Sequence, residues 1–567
     1  MGSRRQTGRG QAGPEPGPPQ LDLFDTALTS EEAHPTTWAE TPAGTRVSFR
    51  DPSPHLLTVG SQTLEAYLRA SQLGDVFLLR DVLRGLDYAP FFARYQPQGR
   101  QPYHPAVVLG LILFGLLKGI ESVRKLERLG KCNVQVWWLT GGAVPDHSTL
   151  CRFFSRHQEE LDGLFEQCTG KIFERLRTKG YDVNTKLAGD GTTFPALARR
   201  YRNLTAEAAR EQAAAEQAKA DRAAAKGDEQ AARRAQDRAD RLARTAEAAD
   251  ERTAARRRDR GKSAKPAVAN EADPDAVVQK LKDGTVAPAY KPSVLADEHR
   301  LVHAHDVQPS NENASLPKLC EQAKRLHEST ELELLLLDAG YFSIPVLKEL
   351  TAQGVQNPLV SSRAVVAAKR KRPAPKFLPR AAFSYDPETD SYECPEGHEL
   401  QFTRHKQQKG RPTRIYSGAP CGGCPRKKEC TKAAQRTISR AEGEEYAEAM
   451  DEVLRHPGAK RDYAQRAAMV EPVFSDLRGR FRYHRFRRRG LAKVRADFAL
   501  LVTAYNLQRL LDLVARAEAG RQQGGLSASG APLARLRRYP RWCAPDQSTR
   551  IAVLRLPTAP HGFACAA

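Results

Sequence analysis

Apolar residues recur at helical spacing in four consecutive segments, 105–118, 121–130, 132–140 and 146–158, punctuated by Gly130, Gly141-Gly142 and Pro145. Leu56 to Leu86 reads as a helical lead-in to them. Short helices with tight turns predict a helical domain over 56–165, with the helix-turn-helix among its candidate shapes. Asp146 is placed to cap the helix that contains Ser148 and Thr149. The texture changes after Asn184. Lys186 to Ala188 is a short apolar stretch that ends in Gly189-Asp190-Gly191. Strand-like stretches follow at Val294–Leu295, Leu301–Val307 and Glu333–Leu337, with a helical pattern over Leu316–His327. Strands alternating with helices predict a mixed α/β core, assigned to 180–516 and ending in helices over Glu442–Arg516.

Two insertions interrupt that core. Thr205 to Arg258 is almost entirely Ala, Glu, Gln, Asp, Lys and Arg, with opposite charges four residues apart at Glu229/Arg233, Asp237/Arg241 and Asp240/Arg244. Leu242 is nearly its only large apolar residue, so the segment reads as a projecting helical hairpin, bent at Gly227, with little to bury and no chemistry. With Gly261–Asp275 as linker it makes an insertion at 202–275. The second insertion, 363–440, combines a basic Pro-containing loop with a cysteine cluster. Residues 1–55 read as a disordered tail and 517–567 as a loosely structured one.

Charge and composition narrow the function. Lys and Arg number 89 against 67 Asp and Glu, a formal net charge of +22, which points to a polyanionic partner. Nucleic acid fits better than membrane. The longest apolar run, Ala106 to Leu117, is too short to span a bilayer and reads as a core helix. No secretory signal is recognised, and ten cysteines in a chain of 567 residues are no disulfide scaffold, so a reducing compartment is expected. Arg478 to Arg489 holds seven arginines and no acid, interleaved with Phe481, Tyr483 and Phe486. Arg forks suit phosphate, and the aromatics either pack the segment down or stack on a base. Arg485, Arg487 and Arg488 are therefore candidate DNA contacts. Lys369 to Arg372, without aromatics, is a weaker one.

Acidic residues at the ends of buried strands are costly unless paired or bound to metal. Asp190 and Asp338 both stand there, and strand tips are where α/β sheets build sites. Glu471, in a helical region, is a third candidate. Three carboxylates suit two Mg²⁺ or Mn²⁺ ions, which favour oxygen ligands and serve phosphodiester chemistry. Asp297, Asp306 and Asp476 are rivals, Asp306 the foremost. His303 and His305, alternating with small residues, read as a solvent-facing edge of a strand. Cys394-x3-His398, Cys421-x2-Cys424 and Cys430 suggest a structural Zn²⁺ held by Cys394, Cys421, Cys424 and Cys430, with His398 able to replace one of them. Free thiols are the alternative.

From about 100 to 510 the chain resembles a DDE-class transposase of bacterial insertion sequences. Tyr103-His104-Pro105 through Gly141-Gly142, with Pro145-Asp146 and Thr149, resembles the family's helical amino-terminal domain. Asp190-Gly191-Thr192 and Asp338-Ala339-Gly340-Tyr341 resemble its first two acidic motifs. Tyr463, Arg466, Glu471 and Arg478 resemble the YREK signature, with the Arg-to-Glu gap one residue longer and Arg478 where Lys is usual. The resemblance implies an RNase H-like catalytic core behind an all-helical DNA-binding domain. It implies metal-dependent hydrolysis that frees a 3′-OH, then transesterification into target DNA. It further implies that Tyr463, Arg466 and Arg478 hold DNA, that the partners are the element's terminal repeats and target duplex, and that a cytoplasmic homodimer acts. A transposase-derived DNA-binding protein without activity and a structure-specific nuclease are the alternatives.

Overall fold

The computed structural model describes residues 45, 47–50, 57–98, 100–120, 122–260, 263–361, 377–408, 411–418 and 420–522. The basic cluster Lys369–Arg372, most of the amino-terminal tail and the carboxy-terminal tail from 523 lie outside these. The described residues fall into two units. One comprises those up to 115, 122–153 and 507–522; the other comprises 116–120 and 154–506.

The first unit is helical. The lead-in is two helices, α1 (Leu64–Ala70) and α2 (Asp75–Arg84). Then come α3 (Pro105–Leu117), α4 (Val123–Cys132), α5 (Val134–Thr140) and α6 (His147–Arg156), close to the segments read from apolar spacing. Helix α3 is apolar all round, and Ala106, Leu109, Ile112 and Phe114 are at most 1 % exposed, as a core helix requires. Asp146 forms its cap: Oδ1 accepts from Thr149 N at 2.6 Å and Ser148 Oγ at 2.8 Å.

The second unit is built on a mixed sheet. Five of its seven strands are β1 (Lys186–Gly191), β2 (Val286–Ala296), β3 (Val302–Gln308), β4 (Leu334–Leu337) and β5 (Pro358–Val360). Their order is β5-β4-β1-β2-β3. Strand β2 runs antiparallel to both neighbours, whereas β1, β4 and β5 are parallel. The four leucines of β4 are all buried, the continuous apolar run of a central strand in a parallel pairing. Helix α7 (Glu160–Thr178) covers the face of β3 that carries His303 and His305. These histidines are 0 % and 1 % exposed, so the solvent-facing reading is wrong. His303 Nδ1 is 2.8 Å from His327 Nε2, and His305 meets Phe165 edge-on at 4.5 Å.

The charged insertion is a hairpin of α8 (Ala206–Ala225) and α9 (Glu229–Arg260), turning at Gly227 with φ +74°. It does bury a seam, made of Ala209, Ala220, Ala239, Leu242, Ala246 and Ala249. Glu216–Arg238 at 3.0 Å and paired Gln217 and Gln236 tie the two helices together. The supposed linker is structural too. Asp273 accepts from Tyr290 Oη at 2.7 Å and Gly490 N at 3.1 Å. Helices α10 (Leu316–Leu326) and α11 (Ile344–Ala352) flank the sheet strands in sequence.

The cysteine insertion is an antiparallel sheet of β6 (Ser384–Asp386), β7 (Ser391–Glu393), β8 (Glu399–Gln408), β9 (Arg411–Ser417) and β10 (Ile438–Ala441). Helices α12 (Glu444–Arg455), α13 (Pro457–Ala464), α14 (Arg466–Gly479) and α15 (Leu491–Gln522) follow. Within α15, Leu491–Ala517 is long and apolar enough to cross a membrane by length and composition, but 78 % of its apolar window is buried in protein, as in a core helix.

Candidate active site

Parallel pairing of β1 and β4 sets Leu337 beside Gly189, so Asp190 and Asp338 leave adjacent strand ends. Gly189 permits this close approach. A Cβ there would stand 2.5 Å from Leu337 Cδ2 and 3.0 Å from Leu295 Cδ2, both in the core. Burial pushes the Asp190 carboxyl up to about 6; the Arg466 guanidinium opposes this and Asp338 adds to it. Asp338 Oδ1 accepts from Gly340 N at 2.9 Å, which fixes the turn after β4.

The third acid comes from the helices. Tyr463, near the end of α13, donates from its hydroxyl to Leu337 O at 3.1 Å, anchoring the helix pair against the last residue of β4. Arg466 opens α14. Its Nη2 lies 3.2 Å from Glu471 Oε1, while Nη1 is 4.0 Å from Asp190 Oδ1 and donates to Gly189 O at 3.5 Å. One guanidinium thus spans Asp190 and Glu471, and the longer Arg-to-Glu gap does not prevent it. The Glu471 side chain is 57 % exposed, so it reaches the cluster from the solvent side. Arg478 donates to Thr192 Oγ1 and lies 4.7 Å from the Phe194 ring centroid. In this arrangement Tyr463, Arg466 and Arg478 spend their polar groups on the strand ends and their acids.

A fourth carboxylate escaped the sequence reading. Glu312, in the turn after β3, reaches the same loops. Its Oε2 would stand 2.8 Å from a Cβ at Gly191, and its Oε1 3.1 Å from one at Gly340. Its other neighbour is Lys291 at 3.6 Å. Beneath these acids the Tyr341 hydroxyl is buried beside Ser293, and neither hydroxyl completes a hydrogen bond of proper geometry.

The rivals have structural work elsewhere. Asp306 is buried between Arg495 at 3.4 Å and Lys318 at 3.5 Å, and Asp297 pairs with His303 at 3.1 Å. Asp476 lies in the last turn of α14. Among the described residues, no three His, Cys, Asp or Glu side chains stand ready at ligand spacing for a metal ion. The donor chemistry around Asp190 nonetheless suits a hard divalent cation: hard carboxylate oxygens on adjoining strand ends, one of them buried beside another acid and pushed up to about 6.

The arginine segment divides in two. Phe481, Tyr483 and Phe486 are buried, so they pack the segment down and do not stack on bases. Arg488 lies 3.6 Å from the Phe154 ring centroid and 4.0 Å from Asp497, and Arg485 donates to Ala196 O at 3.3 Å. Arg480, Arg482 and Arg487 are exposed. Cys394, Cys421, Cys424 and Cys430 all line one cavity beside the cysteine-bearing sheet, together with His398.

Residues 393–511 match a family described as transposase DDE domain. That stretch contains the cysteines, Tyr463, Arg466, Glu471 and the arginine segment, but neither Asp190 nor Asp338. Residues 68–156 match a second family, described as transposase domain (DUF772), which takes in α2 to α6. No curated protein and no solved structure matches the chain. Two separate stretches, one helical and one that contains Glu471, are thus similar to transposase domains.

Proposed function

We propose that the protein cleaves DNA strands at the ends of an insertion sequence and transfers them, using Asp190, Asp338 and Glu471 with Mg²⁺ or Mn²⁺. The observation that carries this reading is the register of β1 and β4, which brings two acids distant in sequence to adjoining strand ends, where Arg466 links one of them to Glu471. The sheet order, with β2 alone antiparallel, supports an RNase H-like core. The helical unit, matched by a transposase domain, is the part to which we assign recognition of the element's ends. A homodimer holding two ends is expected with it.

Asp190, Asp338 and Glu471 would hold the metal, which when bound supplies charge for the attacking and leaving oxygens of a phosphodiester. The chain's own contribution is alignment. Tyr463 fixes α13 to the end of β4, and Arg466 keeps Asp190 and Glu471 within reach of one another while balancing their charge. Burial pushes the Asp190 carboxyl up to about 6, and a cation held beside it would favour its ionised form.

The test uses duplexes that carry the DNA flanking the reading frame. Asp190→Ala, Asp338→Ala and Glu471→Ala should each lower cleavage by about 100-fold or more and leave end binding largely intact, because each removes a ligand and not a DNA contact. Wild-type cleavage from any one variant removes that residue from the site. Cleaved ends without joined product would make the protein a nuclease. Binding by the wild type with no cleavage in either metal would make it a DNA-binding protein only.

A further inference from the structure

The cysteine-bearing sheet has a thin apolar core. It spans Ser384 to Ala441, yet its core is five buried side chains: Phe383, Tyr392, Leu400, Tyr416 and Ile438. Strand β8 buries only Leu400. Small units with so little apolar core ordinarily depend on a metal or a disulfide. Cys394, Cys421 and Cys430 pack against this core, all four cysteines are free, and all four line one cavity.

The backbone around them is shaped for metal binding. Cys394 opens the tight turn between β7 and β8. Gly397 N donates to Cys394 O at 2.8 Å, Cys394 N donates to His398 O at 2.8 Å, and Gly397 takes φ +76°. Cys421-Gly-Gly-Cys424 makes a second turn, and Cys430 ends a single helical turn, Lys427–Cys430. Arg436 N donates to Cys421 Sγ at 3.4 Å, a contact that favours sulfur carrying negative charge. Four thiolates around Zn²⁺ would leave a net charge of −2, and Arg426, Lys427 and Arg436 line the same cavity.

We propose that Cys394, Cys421, Cys424 and Cys430 bind one structural Zn²⁺, which completes the core of this sheet. The four thiol protons go to solvent and no electrons are exchanged. The side chains surround the cavity and do not yet meet at ligand spacing, so binding draws them inward. His398 lines the cavity as a neighbour and is not a ligand. A filled four-thiolate site has no open position, so its role is to hold the sheet and not to catalyse.

The full-length, untagged protein, purified without chelators, should carry about one Zn²⁺ per chain by elemental analysis. Replacing Zn²⁺ by Co²⁺ should give intense thiolate-to-cobalt absorption of a tetrahedral site. Cys421→Ser with Cys424→Ser should lose the metal, and His398→Gln should keep it. Should the double variant not fold, titration of wild type with a mercurial reagent reads the same point: about four thiols react as one Zn²⁺ is released. A metal-free wild type, with these thiols reactive or joined in disulfides, overturns the proposal. Loss of zinc from His398→Gln overturns the four-thiolate set. None of these readings depends on DNA cleavage, so the zinc proposal can fail while the transposase reading stands.

Discussion

Asp190 holds its proton more tightly in the folded protein, up to about 6, than an unfolded aspartate does, because burial and Asp338 outweigh Arg466. Between the two values the folded chain binds more protons, so stability falls as pH rises through that window. Above it the full cost stands, up to about 3 kcal/mol. Asp190→Asn should therefore raise the melting temperature at pH 7.5 and leave it nearly unchanged at pH 4, while cleavage is lost. An equal rise at both pH values would mean that the gain does not come from charge. Glu312 makes a different prediction. If it supports the acids, Glu312→Gln should lower cleavage roughly 10–100-fold and demand more Mn²⁺ for half-maximal rate, with DNA binding intact. An unchanged metal titration would leave Glu312 as a partner of Lys291 alone. That Asp190 and Asp338 stand at strand ends was legible in the sequence, because an apolar strand runs straight into each. Glu312 was not: it stands between Asn311 and Asn313 in what reads as an ordinary turn, and only the fold of β3 back onto β2 brings it to the other acids.

Single elements show where local pattern suffices and where partners override it. The helices of the first unit and β4 were readable because each carries its own period or apolar run. The cysteine-bearing sheet was not, because β8 buries only Leu400 and offers no alternation to read. The α8–α9 hairpin was legible as helix, but its alanine seam was not, since small residues bury well only when a second helix supplies the matching face. Strand β3 misled for a related reason: His303 and His305 look solvated until α7 covers them. Burial then pushes His305 down to about 4 and His327 down to about 3. Unfolded histidines bind protons near pH 6.5 and these do not, so the unfolded state takes up more protons as pH falls from there to about 4. Stability should thus decline across that range, by at most about 1.4 kcal/mol per pH unit for each histidine. Denaturant melts between pH 4 and pH 8 read this directly. His327→Gln should flatten the decline, and an unchanged slope would mean that other groups carry it.

Across the whole molecule the net charge of +22 has to serve either DNA binding or solubility, and the arginine segment lets the two be told apart. The sequence pattern points to Arg485, Arg487 and Arg488 as the DNA contacts. The fold sorts five of the arginines by burial: Arg485 and Arg488 are half-buried against Ala196, Phe154 and Asp497, whereas Arg480, Arg482 and Arg487 are exposed. Each phosphate neutralised on duplex DNA contributes a salt slope of about 0.9. Changing Arg480, Arg482 and Arg487 together to Gln should flatten the slope by roughly two to three and weaken binding to cognate and random duplexes alike, because phosphate contacts position and do not read sequence. Preference for the element's end should survive, since it is assigned to the helical unit around Ser148 to Arg156. Changing Arg485 and Arg488 to Gln should instead lower the melting temperature and move the slope by less than about one unit. The measurement is binding of both variants and wild type over a salt series, with folding checked by circular dichroism. A flattened slope from the Arg485 and Arg488 pair, in a folded protein, would mean that DNA draws these side chains away from Phe154 and Asp497. Unchanged slopes from both variants would mean that the segment faces no phosphate, and that the positive charge which meets DNA lies elsewhere on the chain.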